Sequence, residues 1–165
     1  MKGTLSSWDA RRQSPAYWLA VLFGAGLLRP GPGTWGSLAA LVAGYGLIAT
    51  GLNMVDFIAA IIAVTLVGTV VIDRIETNSG VHDAPEIVID EVAGQWVALL
   101  PIYLLPADPI LFVAAFVLFR IFDILKPWPI GWLDRRISGG FGVMVDDIVA
   151  GIFAFVGIGL LSLLL

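Results

Sequence analysis

Cysteine is absent from the 165 residues, histidine occurs once, and charged residues make up only 13% of the chain. The lack of cysteine excludes disulfides, thiolate metal ligands and a cysteine nucleophile. Soluble domains carry about 25% charged residues, so the shortage of charge argues against a soluble enzyme. No cluster of basic residues indicates nucleic-acid binding, and none is predicted.

Apolar residues fill most of the chain: 59% are hydrophobic, and the mean hydropathy is +0.95. A soluble core of this size cannot bury so much apolar surface. The predicted fold class is therefore all-α, a polytopic membrane helical bundle in a single domain, 1–165, with a polar N-terminal segment at 1–15. About five spans are predicted, at residues 37–52, 54–76, 87–105, 109–125 and 147–165.

The apolar segment 16–28 is too short to be a further span. Thirteen residues make about 20 Å of helix, against about 30 Å of hydrocarbon core. We expect a short re-entrant or interfacial helix. A signal-peptide core is the less favoured alternative, because no small-residue cleavage pattern follows it.

Basic residues mark one side of the predicted bundle. The turns at 50–56 and 105–109 contain no Lys or Arg, and all nine basic residues lie elsewhere. The positive-inside rule places those nine on the cytoplasmic side. Eleven of the thirteen acidic residues fall on that side too, with Asp56 and Asp108 as the exceptions. A site built from them is predicted to face the cytoplasm.

Two adjacent carboxylate pairs are the strongest functional signal. Asp90-Glu91 lies inside an apolar run, where a central membrane Asp costs about 2.5–3.5 kcal/mol, more than the ~0.3–1 kcal/mol that a helix dipole returns. Asp146-Asp147 is expected to open the last helix, where a capping role is the simpler interpretation. Two neighbouring carboxylates exceed what a cap needs and repel each other unless a cation lies between them.

Three further groups accompany these pairs. Arg120, Asp123 and Lys126 share one helix face at i, i+3 and i+6. They form either a neutralising ion pair beside a lysine that extends to the interface, or a site whose basic side chains bind phosphate oxygens. The only histidine, His82, stands beside Asp83 in an acidic loop and is a candidate general acid or base. The glycine-rich loop before Thr34, a plausible N-cap, has the character of an anion-binding nest.

Oxygen ligands without cysteine indicate a hard cation, and Mg²⁺ fits best because it bridges a few carboxylates to substrate phosphate. The predicted metal ligands are Asp90, Glu91, Asp146 and Asp147. Together with the basic residues and the membrane location, this predicts a phosphate-bearing lipid as substrate.

The same residues resemble the phosphatidylglycerophosphatase A family. The matching stretches lie in family order over about residues 20–155: Pro30-Gly31-Pro32-Gly33-Thr34-Trp35-Gly36-Ser37, Gly80-Val81-His82-Asp83, Ile87-Val88-Ile89-Asp90-Glu91, Phe119-Arg120-Ile121-Phe122-Asp123-Ile124-Leu125-Lys126-Pro127, Trp132-Leu133-Asp134-Arg135-Arg136, Gly139-Gly140-Phe141-Gly142 and Asp146-Asp147-Ile148-Val149-Ala150-Gly151. The chain departs from the family around 84–86 and 92–95, without losing an ionisable motif residue.

The resemblance implies a magnesium-dependent, multi-pass enzyme of the bacterial inner membrane. Its reaction would convert phosphatidylglycerophosphate into phosphatidylglycerol and inorganic phosphate, in phospholipid biosynthesis. The expected catalytic residues are His82, Asp83 and Asp123, and the expected phosphate-binding residues are Thr34, Arg120, Lys126 and Arg135. Water attack and a phospho-aspartyl intermediate both remain open, and no oligomeric state is predicted.

Two other classes compete with this interpretation. A phosphatidyl transferase would also hold metal on aspartates at a membrane surface, but in a compact, Gly-spaced series rather than over four segments. A carboxylate-based ion transporter would place its acidic residues at the bilayer midplane. Histidine-dependent lipid phosphatases need at least two histidines and are excluded.

Overall fold

The computed structural model describes residues 3–105 and 108–163, and within them every regular element is a helix. The predicted all-α class is confirmed. The α-helices are α1 (Pro15–Ala20), α2 (Pro32–Ala49), α3 (Met54–Ser79), α4 (Ile89–Leu99), α5 (Pro109–Leu125), α6 (Ile130–Arg136) and α7 (Gly139–Ser162). Short 3₁₀ turns occur at Leu5–Ser7, Arg11–Gln13, Leu22–Leu27 and Leu100–Tyr103.

Local sequence signals set the ends of the outer helices. Asn53 caps α3 by accepting a hydrogen bond from the Asp56 N–H (3.0 Å), and Asp108 caps α5 through the Ile110 N–H (2.8 Å). Such caps satisfy N–H groups that have no partner within the helix. Gly80 ends α3 in the left-handed conformation (φ 68°), which costs glycine nothing.

Helix α4 is the centre of the bundle. It packs against α2, α3, α5 and α7, and all of its residues except Asp90 are buried. Eleven residues make only about 16 Å of helix, and a 3₁₀ turn containing Pro101 follows. The run 87–105 is therefore not one continuous α-helix, and the span predicted there is not confirmed.

Two of the described helices, α3 and α7, are long and apolar enough to cross a membrane by length and composition. The five predicted spans are not confirmed. Much of the apolar surface of both helices faces outward: Ile62 and Leu66 on α3 are 55% and 64% exposed, and Leu160 on α7 is 61% exposed. An apolar exterior of this kind suits a lipid environment. The last two residues of the span predicted at 147–165 lie outside the described residues.

The segment 16–28 does not form one helix. Helix α1 is followed by the 3₁₀ turn Leu22–Leu27, where Phe23 and Gly24 take positive φ angles of 52° and 118°. Tyr17, Ala20 and Val21 are buried in a cluster with side chains of α3. The expectation of a short re-entrant or interfacial helix stays a prediction, and the α-helix in this segment is only six residues long.

The two ends of the bundle differ in charge. Tyr103 donates a hydrogen bond to the Leu52 carbonyl (3.0 Å), so the regions predicted as outer turns, 50–56 and 105–109, meet at one end; residues 106–107 lie outside the described residues. The other end carries the start of α4, the C-terminal end of α5, helix α6 and the first turns of α7.

Candidate active site

The charged end of the bundle encloses a polar cavity of about 290 Å³. It brings together most of the side chains predicted to act: His82, Asp83, Asp90, Glu91, Asp123, Lys126, Asp146 and Asp147. They come from the loop before α4 and from α4, α5 and α7. Asp134 on α6 and the backbone of Gly33 at the start of α2 complete the polar part of the lining.

Arg120 joins three helices beside this cavity. Its Nη1 donates to Glu91 Oε2 on α4 (2.5 Å) and to Ser37 Oγ on α2 (3.1 Å), and it forms an ion pair with Asp123 Oδ2 one turn along α5 (2.8 Å). Only 14% of the arginine side chain is exposed. Charge-assisted hydrogen bonds in such a dry setting are the strong ones, so this cluster fixes the relative positions of α2, α4 and α5.

Ser37 and Gly33 shape the α2 side of this cluster. The Ser37 hydroxyl lies 2.9 Å from the Gly33 carbonyl and 2.5 Å from Glu91 Oε2, and it donates its single proton to one of them. A Cβ at position 33 would collide with Glu91 Oε1 and crowd the guanidinium of Arg120. Glycine is thus needed at position 33 because the Glu91 carboxylate approaches the α2 backbone.

Lys126 forms a second cationic contact on the far side of the cavity. Its Nζ donates to Asp146 Oδ2 (2.5 Å) and to Asp134 Oδ1 (2.6 Å). Burial acts to lower the pKa of Lys126, but the hydrogen bonds to Asp134 and Asp146 outweigh it and hold that pKa above its ordinary value. Lys126 ends α5 with a left-handed backbone (φ 42°), a conformation that non-glycine residues seldom adopt.

Asp146 and Asp147 lie well inside α7, not at its start. The helix begins at Gly139, so Asp146 is its eighth residue, about 10 Å along the axis at 1.5 Å per residue. The glycine-rich stretch Gly139–Gly142 forms the first turn of α7, and the capping interpretation of the pair is wrong. Asp73 of α3 takes that role, because its Oδ1 accepts a hydrogen bond from the Gly140 N–H (2.6 Å).

Three carboxylate oxygens in the cavity wall are buried and have no hydrogen-bond partner: Asp90 Oδ1, Asp146 Oδ1 and Asp147 Oδ2. In the described part of the chain, no three Asp, Glu or His side chains are already gathered around one metal-sized point. The donor set nevertheless fits Mg²⁺, a hard cation that prefers carboxylate oxygen. Buried oxygens without partners are costly, and a cation would satisfy them. Glu91 differs, since one of its oxygens already binds Arg120 and Ser37.

His82 and Asp83 lie at the rim of the cavity and share a partner on α3. His82 Nδ1 is 2.6 Å from Glu76 Oε1, and the Asp83 N–H donates to the same oxygen (3.2 Å). A carboxylate on one ring nitrogen orients the imidazole and leaves Nε2 for other contacts. The His82 side chain is 60% exposed, so Nε2 is accessible to a substrate.

Comparisons with known proteins address the family. Residues 18–162 match the profile described as PgpA: Phosphatidylglycerophosphatase A. The chain belongs to the phosphatidylglycerophosphatase A family. Proteins with that name from Haemophilus influenzae and Escherichia coli K12 are 43% and 41% identical over 143 and 145 residues; each alignment covers 87% of this chain, and 86% and 81% of the relative.

A third relative, from Bacteroides thetaiotaomicron, is 34% identical over 140 residues, which is 81% of this chain and 85% of its own length. It is provisionally named a phosphatidylinositol-3-phosphatase. No solved structure matches the chain. The resemblance drawn from the motifs is confirmed.

Three residues expected to bind phosphate in this family member do not line the cavity: Thr34, Arg120 and Arg135. Thr34 does not cap α2, because the helix begins at Pro32 and Gly31 is the N-cap residue, with no side-chain hydrogen bond. Thr34 instead lines an outer groove together with Arg120. Arg135 is exposed on α6. Their roles as phosphate ligands stay predictions.

Sequence reasoning missed four residues that position the site: Ser37, Asp73, Glu76 and Asp134. Ser37 and Asp134 lie inside family motif stretches and carry that signal. Asp73 and Glu76 stand at the polar end of an apolar helix, where acidic residues are unremarkable in sequence. Their roles depend on the approach of the loop 80–88 and of α7 to α3.

Proposed function

We propose that this protein hydrolyses the terminal phosphate monoester of phosphatidylglycerophosphate, releasing phosphatidylglycerol and inorganic phosphate. One observation carries the proposal: carboxylates of four helices converge on one polar cavity that Lys126 also lines, and Arg120 binds two of these carboxylates, in a chain of the phosphatidylglycerophosphatase A family. Phosphoryl transfer requires positioning and charge neutralisation more than covalent chemistry. A cavity that combines cation-binding oxygens with the Lys126 ammonium group, and whose Glu91 and Asp123 carboxylates bind the Arg120 guanidinium, meets both needs.

Asp90, Asp146 and Asp147 are the proposed ligands of Mg²⁺. Their unpartnered buried oxygens support this assignment. When bound, Mg²⁺ would neutralise charge on the phosphoryl oxygens. Glu91, predicted as a fourth ligand, contributes mainly by holding Arg120, and its second oxygen remains available to the cation.

Arg120 and Lys126 are the proposed phosphate-binding residues. Each already contacts two carboxylates, and phosphate oxygens would replace one of these partners. Because the remaining carboxylate keeps each cation in place, the positive charges are held in position before the substrate arrives.

Bond making and breaking need a nucleophile and a proton donor. Asp83 or Asp123 takes the proton of a water whose oxygen attacks phosphorus, or attacks directly and forms a phospho-aspartyl group that water then cleaves. The bond from phosphorus to the glycerol oxygen breaks, and His82, oriented by Glu76, gives that oxygen a proton. Trapping of a phosphorylated enzyme separates the two routes, because only direct attack by an aspartate forms one.

The proposed location is the bacterial inner membrane, with the charged end of the bundle in the cytoplasm. Helices α3 and α7 would span the bilayer, and the other apolar helices would pack beside them in a multi-pass arrangement. The concentration of Lys and Arg away from the opposite end supports this orientation.

The test is phosphate release in detergent, with and without Mg²⁺, from three lipid substrates. Phosphatidylglycerophosphate is expected to be cleaved fastest, with phosphatidic acid and phosphatidylinositol 3-phosphate as comparisons. Asp90→Asn and Asp146→Asn are expected to abolish turnover without unfolding the protein. Asp56→Asn, in the first turn of α3 at the opposite end of the bundle, is the control and is expected to retain turnover. Wild-type turnover by either site variant would contradict the metal assignment, and absence of phosphate release by the native protein would contradict the function.

Two other classes make different predictions in the same preparation. A phosphatidyl transferase would release no inorganic phosphate without a second substrate. An ion transporter would show cation flux in vesicles and no phosphate release. Neither has a specific observation in its favour.

A further inference from the structure

An apolar groove runs along the outer surface of the bundle between the start of α2 and the second half of α5. Its volume is about 380 Å³, within the range of about 300–1,000 Å³ that is usual for small-ligand sites. Apart from Thr34 and Arg120, its lining consists of apolar α5 side chains, among them Val117, Ile121 and Ile124. These three are 46%, 42% and 65% exposed, so the groove opens sideways toward the surroundings of the bundle.

Arg120 belongs both to this groove and to the candidate active site. It lines the groove, while its Nη1 bonds to Glu91 and Asp123, which line the carboxylate cavity. One side chain therefore separates an apolar surface from a site for phosphate. The Arg120 Nε is buried and has no hydrogen-bond partner, so this N–H can still donate to one more oxygen acceptor.

A second apolar groove on the other side of α2 lacks this connection. It has a volume of about 310 Å³ and is lined by side chains such as Ala43, Val67 and Trp96. None of its lining residues is charged. Of these two grooves, the one beside α5 combines an apolar wall with a cation that also contacts the carboxylates of the candidate active site.

We propose that the lipid substrate enters sideways from the bilayer, with one acyl chain in the groove between α2 and α5 and its phosphate directed past Arg120 into the carboxylate cavity. This inference rests on the proposed function, because it assigns a place to the apolar part of that substrate. A diacyl lipid fits the chemistry of the path, since its chains match the α5 wall and its phosphate monoester matches the guanidinium. The groove thus selects for a phosphate attached to a long apolar chain.

The first test fills the groove and compares two substrates. Val117→Trp places an indole within the groove, while Val113→Trp makes the same change one turn earlier on α5, at a position that is 55% exposed and outside the groove lining. The substrates are long-chain phosphatidylglycerophosphate in mixed micelles and its dihexanoyl analogue. Because Val117→Trp removes binding that the substrate and the transition state share, it is expected to raise KM for the long-chain lipid by about tenfold with little change in kcat.

The dihexanoyl analogue is the internal control, since its short chains need little of the groove. Its kcat/KM is expected to stay within about twofold of the native value in both variants. Equal KM values of Val117→Trp and Val113→Trp for the long-chain lipid would overturn the proposal. If Val117→Trp fails to fold, Ile124→Trp tests the same groove nearer its open end.

The second test measures occupancy directly and uses the absence of cysteine from the chain. Val117→Cys and Val113→Cys each carry a single thiol, whose rate of modification by a maleimide reports accessibility. A long-chain phosphonate analogue that resists hydrolysis is expected to slow labelling at position 117 several-fold more than phosphatidylglycerol of the same chain length. It is expected to leave position 113 unaffected. Equal effects of the two lipids at position 117 would show that the groove holds bulk lipid only.

The two hypotheses fail in distinguishable ways. If the native protein releases no phosphate from either substrate, the proposed function is wrong. If it releases phosphate from both, but position 117 is neither protected nor sensitive to tryptophan, the function stands and the entry route is wrong.

Discussion

Removing the Arg120 guanidinium is expected to destabilise the protein as well as inactivate it. The side chain contacts Glu91, Asp123 and Ser37 through one nitrogen. The carboxylates of Glu91 and Asp123 are only 9% and 13% exposed. Arg120→Ala would leave two negative charges in a dry site without their cation.

The expected magnitude follows from this burial. Breaking a buried ion pair by removing one partner costs about 3–5 kcal/mol. For a chain of this length, 1 kcal/mol corresponds to about 2–4 °C in the unfolding midpoint, so the midpoint is expected to fall by about 6–20 °C. Arg120→Lys keeps the charge but cannot reproduce the planar contacts, and its unfolding midpoint is expected to lie between those of the native protein and Arg120→Ala.

Thermal unfolding in detergent, followed by circular dichroism, measures the effect. Arg74→Ala, at an exposed site on α3, is the matched control and is expected to change stability by less than about 0.5 kcal/mol. In the double variant Arg120→Ala/Glu91→Gln, one of the stranded charges is removed, so part of the lost stability is expected to return. The reasoning is refuted if Arg120→Ala unfolds with the native protein, or if the added Glu91→Gln restores nothing.

Three further outcomes are expected. Gly33→Ala should lower activity at least tenfold, because its Cβ displaces the carboxylate cluster. Gly46→Ala on the same helix meets nothing within 4 Å and should gain about 0.5–1 kcal/mol of stability. Phosphate release and thermal unfolding are measured for both variants, and equal activities would contradict the close approach of Glu91 to Gly33. Asp73→Ala should cost about 0.5–2 kcal/mol by uncapping α7, and an unchanged unfolding midpoint would show that this contact is not needed. The Mg²⁺ concentration for half-maximal turnover should rise further in Asp147→Asn than in Glu91→Gln, since only Asp147 has a buried oxygen without a partner; the reverse order would return Glu91 to the metal.

The convergence of the acidic pairs was predictable from sequence because charge is scarce in this chain. Asp90, Glu91, Asp146 and Asp147 come from separate helices, yet all four line one cavity. An apolar chain tolerates buried carboxylates only where they share a partner or a ligand. The composition of the chain therefore predicts that these four carboxylates share one site.

The number of spans was not predictable, because hydropathy does not distinguish burial by protein from burial by lipid. Helix α4 is as apolar as a membrane span, yet its length suits a short central helix that other helices cover. The run 87–105 continues to look apolar through Pro101, where the α-helix has already become a 3₁₀ turn.

The start of the last helix was predicted wrongly because of the glycines before Asp146. Gly139, Gly140 and Gly142 have the composition of a turn, but a Cβ at position 140 would collide with the Thr69 carbonyl. Gly140 thus allows close contact between α7 and α3, Gly142 makes room for the Ile137 carbonyl, and Gly139 supplies the positive φ of 77° at which α7 begins. Sequence alone does not separate these uses, since each needs a missing side chain.

Glycines in the middle of the bundle have a different consequence. A Cβ on Gly94 of α4 would meet the Asp147 carbonyl, and a Cβ on Gly151 of α7 would meet the Gly94 carbonyl. The backbones of α4 and α7 are therefore in direct contact at this crossing, one helical turn away from the carboxylates of the candidate site on each helix. This contact fixes α4 against α7 beside the candidate active site, so turnover is expected to vary little with the chain length of the host lipids.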